Sequence, residues 1–207
     1  WETIYPYLQY GPIVLCNEYP RDLHGAPVIT IDQKKAMTTI TKHLLHKGYD
    51  SIAYCNVYDV NHLPEGVRSP LAEDRYEGFV QTMKSEGKVI QSSWRFSGHS
   101  VDDGRDILRT ILGLANRPNA IITGSDEIAA GIIAEAKVKK VRIPEDLAVV
   151  GFDNQPTATL LEPQLTTIHQ PTFEMGKQAM EMLLTLLANQ NEQYESVTFL
   201  EAPIQIR

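Results

Sequence analysis

Short runs of β-branched and other apolar residues alternate along this chain with stretches in which apolar positions recur every three or four residues. The first kind of pattern predicts strands and the second amphipathic helices. Strands are expected over Pro12 to Cys16, Val28 to Ile31, Ser51 to Cys55, Val89 to Arg95, Ala120 to Thr123 and Leu147 to Val150. Helices are expected from Asp32 to Gly48, over Asp74 to Glu86, Val101 to Ala115, Asp126 to Lys139 and Phe173 to Ala188. Asp32 is placed to accept from free amides as an N-cap, and Gly48 to supply a left-handed C-terminal position. Ser100 reads as the cap of the helix beginning at Val101, and Asp126 as the cap of the next.

Strict strand–helix alternation from Ser51 onward demands a parallel sheet covered by helices, because a parallel connection is a crossover that must bury one face. Ligands of such sheets bind beyond the carboxyl ends of the strands. Polar residues collect there: Asn17 and Glu18 after PIVLC, Asp32 after VITI, Asn56 after SIAYC, Ser125 and Asp126 after AIITG, Asp153 and Asn154 after VVGF. Beyond Phe152 the alternation breaks, with a turn-rich piece, a β-run over Leu165 to His169, the last helix, and one or two strands within Ser196 to Arg207. A strand and helix sent away from a completed sheet predict a second lobe and a cleft between the two.

Composition narrows the function classes. A chain of 207 residues with 43% hydrophobic and 22% charged residues has the make-up of a globular protein. No apolar run approaches the ~20 residues of a membrane span. The 26 acidic residues outweigh 19 basic ones, giving a net charge of -7, which repels a phosphate backbone; this stretch by itself is not expected to bind nucleic acid. Cys16 and Cys55 each end an apolar run and read as unpaired, strand-buried thiols in a reduced cytoplasmic setting. His43 and His46 stand at i, i+3 on a helix, but no third ligand follows at metal-site spacing. No GxSxG, P-loop or GxGxxG occurs, so catalysis has no motif to rest on, and neither a metal nor a cofactor is expected.

The segment PNAIITGSDEIAAGIIAEAKVKKVRIPEDLAVVGFDN followed by EPQLTTIHQP resembles the effector-binding part of the LacI/GalR family of bacterial transcription regulators, and PIVLCNEY, PVITIDQKKA, HLLHKGYDSIAY and RYEGF fall in that family's order. The resemblance implies an α/β, two-lobed, periplasmic-binding-protein-like type I fold with parallel sheets flanked by helices. It places residues 1–50 and 171–190 in an N-terminal lobe incomplete in this chain, and 51–164 and 196–207 in a C-terminal lobe. Asp50-Ser51, residues 165–170 and about 190–195 would be the crossovers. The helix-turn-helix and the first half of the N-lobe sheet would precede Trp1, so operator DNA would be bound by a part outside this sequence.

Carried over by position, the resemblance implies an effector site of Asn17, Arg75, His99, Ser125, Asp153 and Gln170. Arg75 would clamp hydroxyls or a carboxylate with its rigid fork, Asp153 would accept from ligand hydroxyls, and Asn17 would reach in from the opposite wall. His99 stands where sugar-binding relatives place a stacking aromatic, with Phe96 or Trp94 as substitutes. Ser125 has a competing role as a helix cap, Asn17 as a turn former, Arg75 as a solvated first-turn residue, and Asp153 as a turn cap. Pro171 would open the last helix. A homodimer surface is expected at Leu160, Leu161 and the helix carrying Ile128. The implied protein is a ligand-responsive regulator, a repressor taking a sugar-like effector. A transporter's solute-binding protein is the alternative with the same cleft, and an enzyme using Asp153, Arg75 and His99 ranks third.

Overall fold

The computed structural model describes residues 1–57, 70–189 and 194–207. It contains two sheets. The smaller one has three parallel strands in the order β1 (Leu15–Cys16), β2 (Val28–Ile31), β8 (Val197–Leu200). The larger has six, in the order β4 (Arg95–Ser97), β3 (Ile52–Asn56), β5 (Ala120–Thr123), β6 (Ala148–Asp153), β7 (Thr166–His169) and β9 (Ile204–Gln205). All its neighbours run parallel except the antiparallel edge pair β7–β9.

Helices α1 (Gln33–His46) and α2 (Pro70–Ser85) cover one face of the larger sheet, and α3 (Val101–Gly113), α4 (Asp126–Lys139) and the single turn α5 (Thr157–Leu160) cover the other. The strands alternate accordingly. Ile52, Tyr54, Ile122 and Phe152 join the core beneath α1 and α2, whereas Ala53, Cys55, Ile121 and Val149 join the core beneath α3 and α4. The last helix, α6 (Thr172–Ala188), packs on β1 and β2 of the smaller sheet.

Local chemistry sets the helix ends. Asp32 accepts from the Lys35 amide at 2.8 Å, and Gly48 takes φ +91° just past the end of α1. Ser100 and Asp103 form a capping box at the start of α3. At α4 the cap is Ser125, whose hydroxyl accepts from the Ile128 amide at 3.4 Å, and not Asp126 as expected. Asp126 is fully buried and bonds elsewhere. Pro171 sits at the N-cap position of α6, one residue ahead of the helix. Helices α3 and α4 meet through glycines: a Cβ on Gly104 would lie 2.2 Å from the Ile128 carbonyl oxygen, and one on Gly131 2.0 Å from that of Val101.

The strand ladders relocate the connections between lobes. The expected boundary at residue 50 moves back to Asp32, because α1 packs beside α2 on the larger sheet and Gly78 brings α2 within backbone contact of Lys34. Residues 165–170, expected as a crossover, are largely β7, hydrogen-bonded into the larger sheet, so only the helix leaves. In the tail, Val197–Leu200 pairs with β2 in the smaller sheet, which puts the return connection at Glu201 to Pro203. Residues 190–193, part of the expected crossover at 190–195, lie outside the described residues. Among the described residues, the smaller sheet has the three strands β1, β2 and β8. Val89 to Arg95 also departs from expectation: Val89 is exposed, Ser92–Trp94 forms a 3-10 turn, and the strand starts at Arg95.

Candidate ligand-binding site

A cavity of about 560 Å³ opens where the carboxyl end of β1 faces the carboxyl ends of β3, β5 and β6. Asn17, Arg75, His99, Ser125, Asp153 and Gln170 all line it, although they derive from six separate elements or loops. The substitutes for His99 do not reach it: Trp94 is buried in the core under α3, and Phe96 faces a different cavity.

Arg75 is only 9% exposed. Its Nε donates to Gln33 Oε1 at 2.6 Å and one terminal nitrogen to the Gly124 carbonyl at 3.0 Å, while the guanidinium lies 3.6 Å over the Phe152 ring. Burial draws its pKa down, and the carboxylates of Asp153 and Glu18 act in the opposite sense; a guanidinium remains charged throughout. α1, α2 and the β5–α4 turn thus position one cation with part of its donor fork unspent.

Asp153 ends β6 with φ +103°, followed by Asn154 at φ +57°; across the cavity Asn17 has φ +67°. Side chains seldom adopt this left-handed region, and Asp and Asn tolerate it best. Both walls of the cavity are therefore built from turns held in an uncommon backbone state. Burial pushes the Asp153 carboxyl up to about 6; Arg75 pulls it down and neighbouring Asp126 pushes it further up.

Asp126 explains the GFD sequence. Its carboxylate accepts from the Thr167 hydroxyl and from the Gln155 amide, both at 2.6 Å, tying the first turn of α4 to β7 and to the loop after β6. A Cβ at position 151 would stand 2.2 Å from Asp126 Oδ1, so Gly151 leaves room for that carboxylate. Beside it, Arg207 donates to Asn154 Oδ1 at 2.6 Å, and Asn154 Nδ2 lies 3.1 Å from His169 Nδ1. With the amide nitrogen donating, this chain orients both Asn154 and His169 along the wall.

Several lining residues carried no earlier assignment as ligand contacts. Leu71 and Ala72 line the cavity because α2 begins at Pro70, a turn before the expected Asp74, and a proline at a helix start was the available signal. Glu127 and His169 also line it. Nothing in spacing alone sets Glu127 apart from other first-turn acids.

The expected dimer residues fare unequally. Leu160 is 79% exposed, Leu161 packs half-buried against the core, and Ile128 is completely buried between α4 and the sheet, which removes it from any surface. Cys55 is buried with its thiol pushed up to about 12 by desolvation, whereas Cys16 is exposed, because β1 turns Leu15 inward and the next side chain outward. Among the described residues no group of three His, Cys, Asp or Glu side chains could hold a metal, and no helix is long and apolar enough to cross a membrane.

The periplasmic binding protein-like domain family matches residues 41–207. The NTD biosynthesis operon regulator NtdR of Bacillus subtilis is 37% identical over 186 residues, covering 87% of this chain and 52% of that protein. The HTH-type transcriptional repressor PurR of Photorhabdus laumondii is 30% identical, covering 90% and 59%. Among solved structures, a LacI-family regulator of Lactobacillus casei with bound sucrose superposes with a TM-score of 0.84 at 26% identity, covering all of this chain and 74% of that one. The fold, with its two sheets and the cavity between them, is periplasmic-binding-protein-like. The chain belongs to the periplasmic binding protein-like domain family, and LacI-family regulators are among the solved structures it resembles. It spans only about half to three-fifths of the curated relatives' length, and those two relatives are transcriptional regulators by name.

Proposed function

We propose that this chain is the effector-binding portion of a cytoplasmic repressor, taking a sugar-like molecule between its lobes and acting on operator DNA through a part outside this sequence. The observation that carries the reading is the convergence of six residues, scattered from Asn17 to Gln170, on one cavity bordered by both sheets. Three chain connections, near Asp32, at Gln170 to Thr172 and at Glu201 to Pro203, link the lobes beside it. A ligand touching both walls favours one lobe angle to the extent that it binds that angle more tightly, and this difference is the free energy available to change DNA affinity. Sucrose in the Lactobacillus casei regulator supports a polyhydroxylated ligand. Exposed Leu160, within the turn-rich Pro156 to Pro163 segment, is the proposed homodimer contact.

The test is calorimetric titration of the whole polypeptide with mono- and disaccharides, paired with operator gel shifts. A sugar that binds and changes operator affinity is the expected result. Arg75→Lys, which loses the fork, should weaken that sugar at least tenfold. Sugar binding with no DNA binding at all would favour a transporter's solute-binding protein instead.

A further inference from the structure

Among the described residues, the cavity's charges do not balance. Three carboxylates line it: Glu18 beyond β1, Asp153 at the end of β6 and Glu127 in the first turn of α4. Arg75 is the single lysine or arginine among the described residues that line it. Its hydrogen bonds go to neutral partners, Gln33 and the Gly124 carbonyl, and the fields of both Glu18 and Asp153 already fall on it. None of the three carboxylates forms an ion pair with a described residue. Behind the wall, buried Asp126 adds to the negative potential around Asp153.

Hydrogen-bond capacity leans the same way. Gln170, 9% exposed, has its Oε1 without a partner, as does Asn17 with its Oδ1, and both residues line the cavity. Neutral amides and hydroxyls in the wall can donate as well as accept, so the excess of acceptors comes from the three carboxylates, to which these two unpartnered oxygens are added. A ligand that answers such a wall must be rich in donors and must not bring a negative charge into a cleft where water no longer screens it. An ammonium offers three donors and no acceptor.

Resting on the sugar-like effector reading above, we propose that the effector bears a protonated amine on a polyhydroxylated body, an amino sugar, in preference to a neutral sugar or a sugar phosphate. Hydroxyls meet Arg75, Asn17 and Gln170, while the ammonium is held among Glu18, Glu127 and Asp153.

Calorimetry on the whole polypeptide at pH 7.5 with sugars taken in matched sets tests this: glucosamine with N-acetylglucosamine, glucose and glucose 6-phosphate, and the galactose and mannose sets likewise. In at least one set the free amine should bind tenfold or more tightly than its neutral and acetylated counterparts, with the phosphate weakest. The amine's advantage over its neutral counterpart should shrink severalfold in Glu18→Gln/Glu127→Gln and at high salt; an advantage unchanged in that variant overturns the inference. A neutral sugar binding as well as its amine in every set, or a phosphate binding best, overturns the inference and leaves the sugar reading standing. No binding of any sugar in any set overturns both.

Discussion

Replacing Asp153 by Asn should make the ligand-free protein more stable while abolishing its effector response. The carboxyl is shifted from its ordinary value of 3.8 to about 6, chiefly by burial, with the attraction of Arg75 falling short of the desolvation cost. At about 1.4 kcal/mol for each tenfold change in proton affinity, that shift corresponds to roughly 3 kcal/mol. The folded protein holds this proton more tightly than the unfolded chain. The cost is therefore absent below pH 4, grows as pH rises through the interval from 4 to 6, and is complete above it. Asn keeps the side-chain shape and tolerates the φ of +103°, so Asp153→Asn isolates the charge. Urea unfolding of wild type and variant should show a gain of about 3 kcal/mol at pH 8 and about half of that at pH 5. Titration of the same variant should show effector affinity reduced at least tenfold. A variant no more stable than wild type at pH 8, or a gain independent of pH, would refute the claim that this wall stores an uncompensated carboxylate.

Gly131→Ala should destabilise by at least ~3 kcal/mol in denaturant unfolding, because its Cβ would meet the Val101 carbonyl oxygen at 2.0 Å and a backbone obstacle cannot rotate away. Tyr54→Phe removes a buried hydroxyl that has no hydrogen-bond partner; stability should stay level or rise by up to about 1 kcal/mol, and a clear loss would reveal a partner at that oxygen. Leu160→Asp should yield monomers in sedimentation velocity with the fold intact by circular dichroism, whereas a persistent dimer would remove Leu160 from the contact. Leu161 makes a poor probe for that purpose, since its half-buried side chain also supports the core.

Much of the larger sheet was legible because its strands are continuous apolar runs and its helices carry signals within a few residues of their ends. Asp32, Ser100 and Gly48 act locally, so their roles follow from neighbours in the chain. The likeness of PIVLCNEY, RYEGF, the SDE stretch, VVGFDN and TTIHQP to known regulators, with a position counted back from Gly104, selected six residues that the fold brings to one cavity. Where contacts are remote, the sequence was a poorer guide. Whether α1 belongs with the strand before it or with α2 depends on packing at Gly78, and whether residues 197–200 join one sheet or the other depends on pairing with β2, far away along the chain.

The same distinction separates Ser125 from Asp126, adjacent residues of which the sequence favoured Asp126 as the cap of α4. Thr167, more than forty positions away, draws Asp126 into the interior, and Ser125 is left at the helix end. It also separates Leu160 from Ile128, apolar residues alike in sequence, of which one meets solvent and the other the core. Periodicity and capping act over one or two turns of chain, so the sequence by itself determined the elements, their order and the residue types at the strand ends. Burial, desolvation and pairing are properties of groups that meet only on folding. Tertiary structure alone decided which carboxylate staples the loop, which one is left charged in the cavity wall, and on which side of that wall each lobe begins.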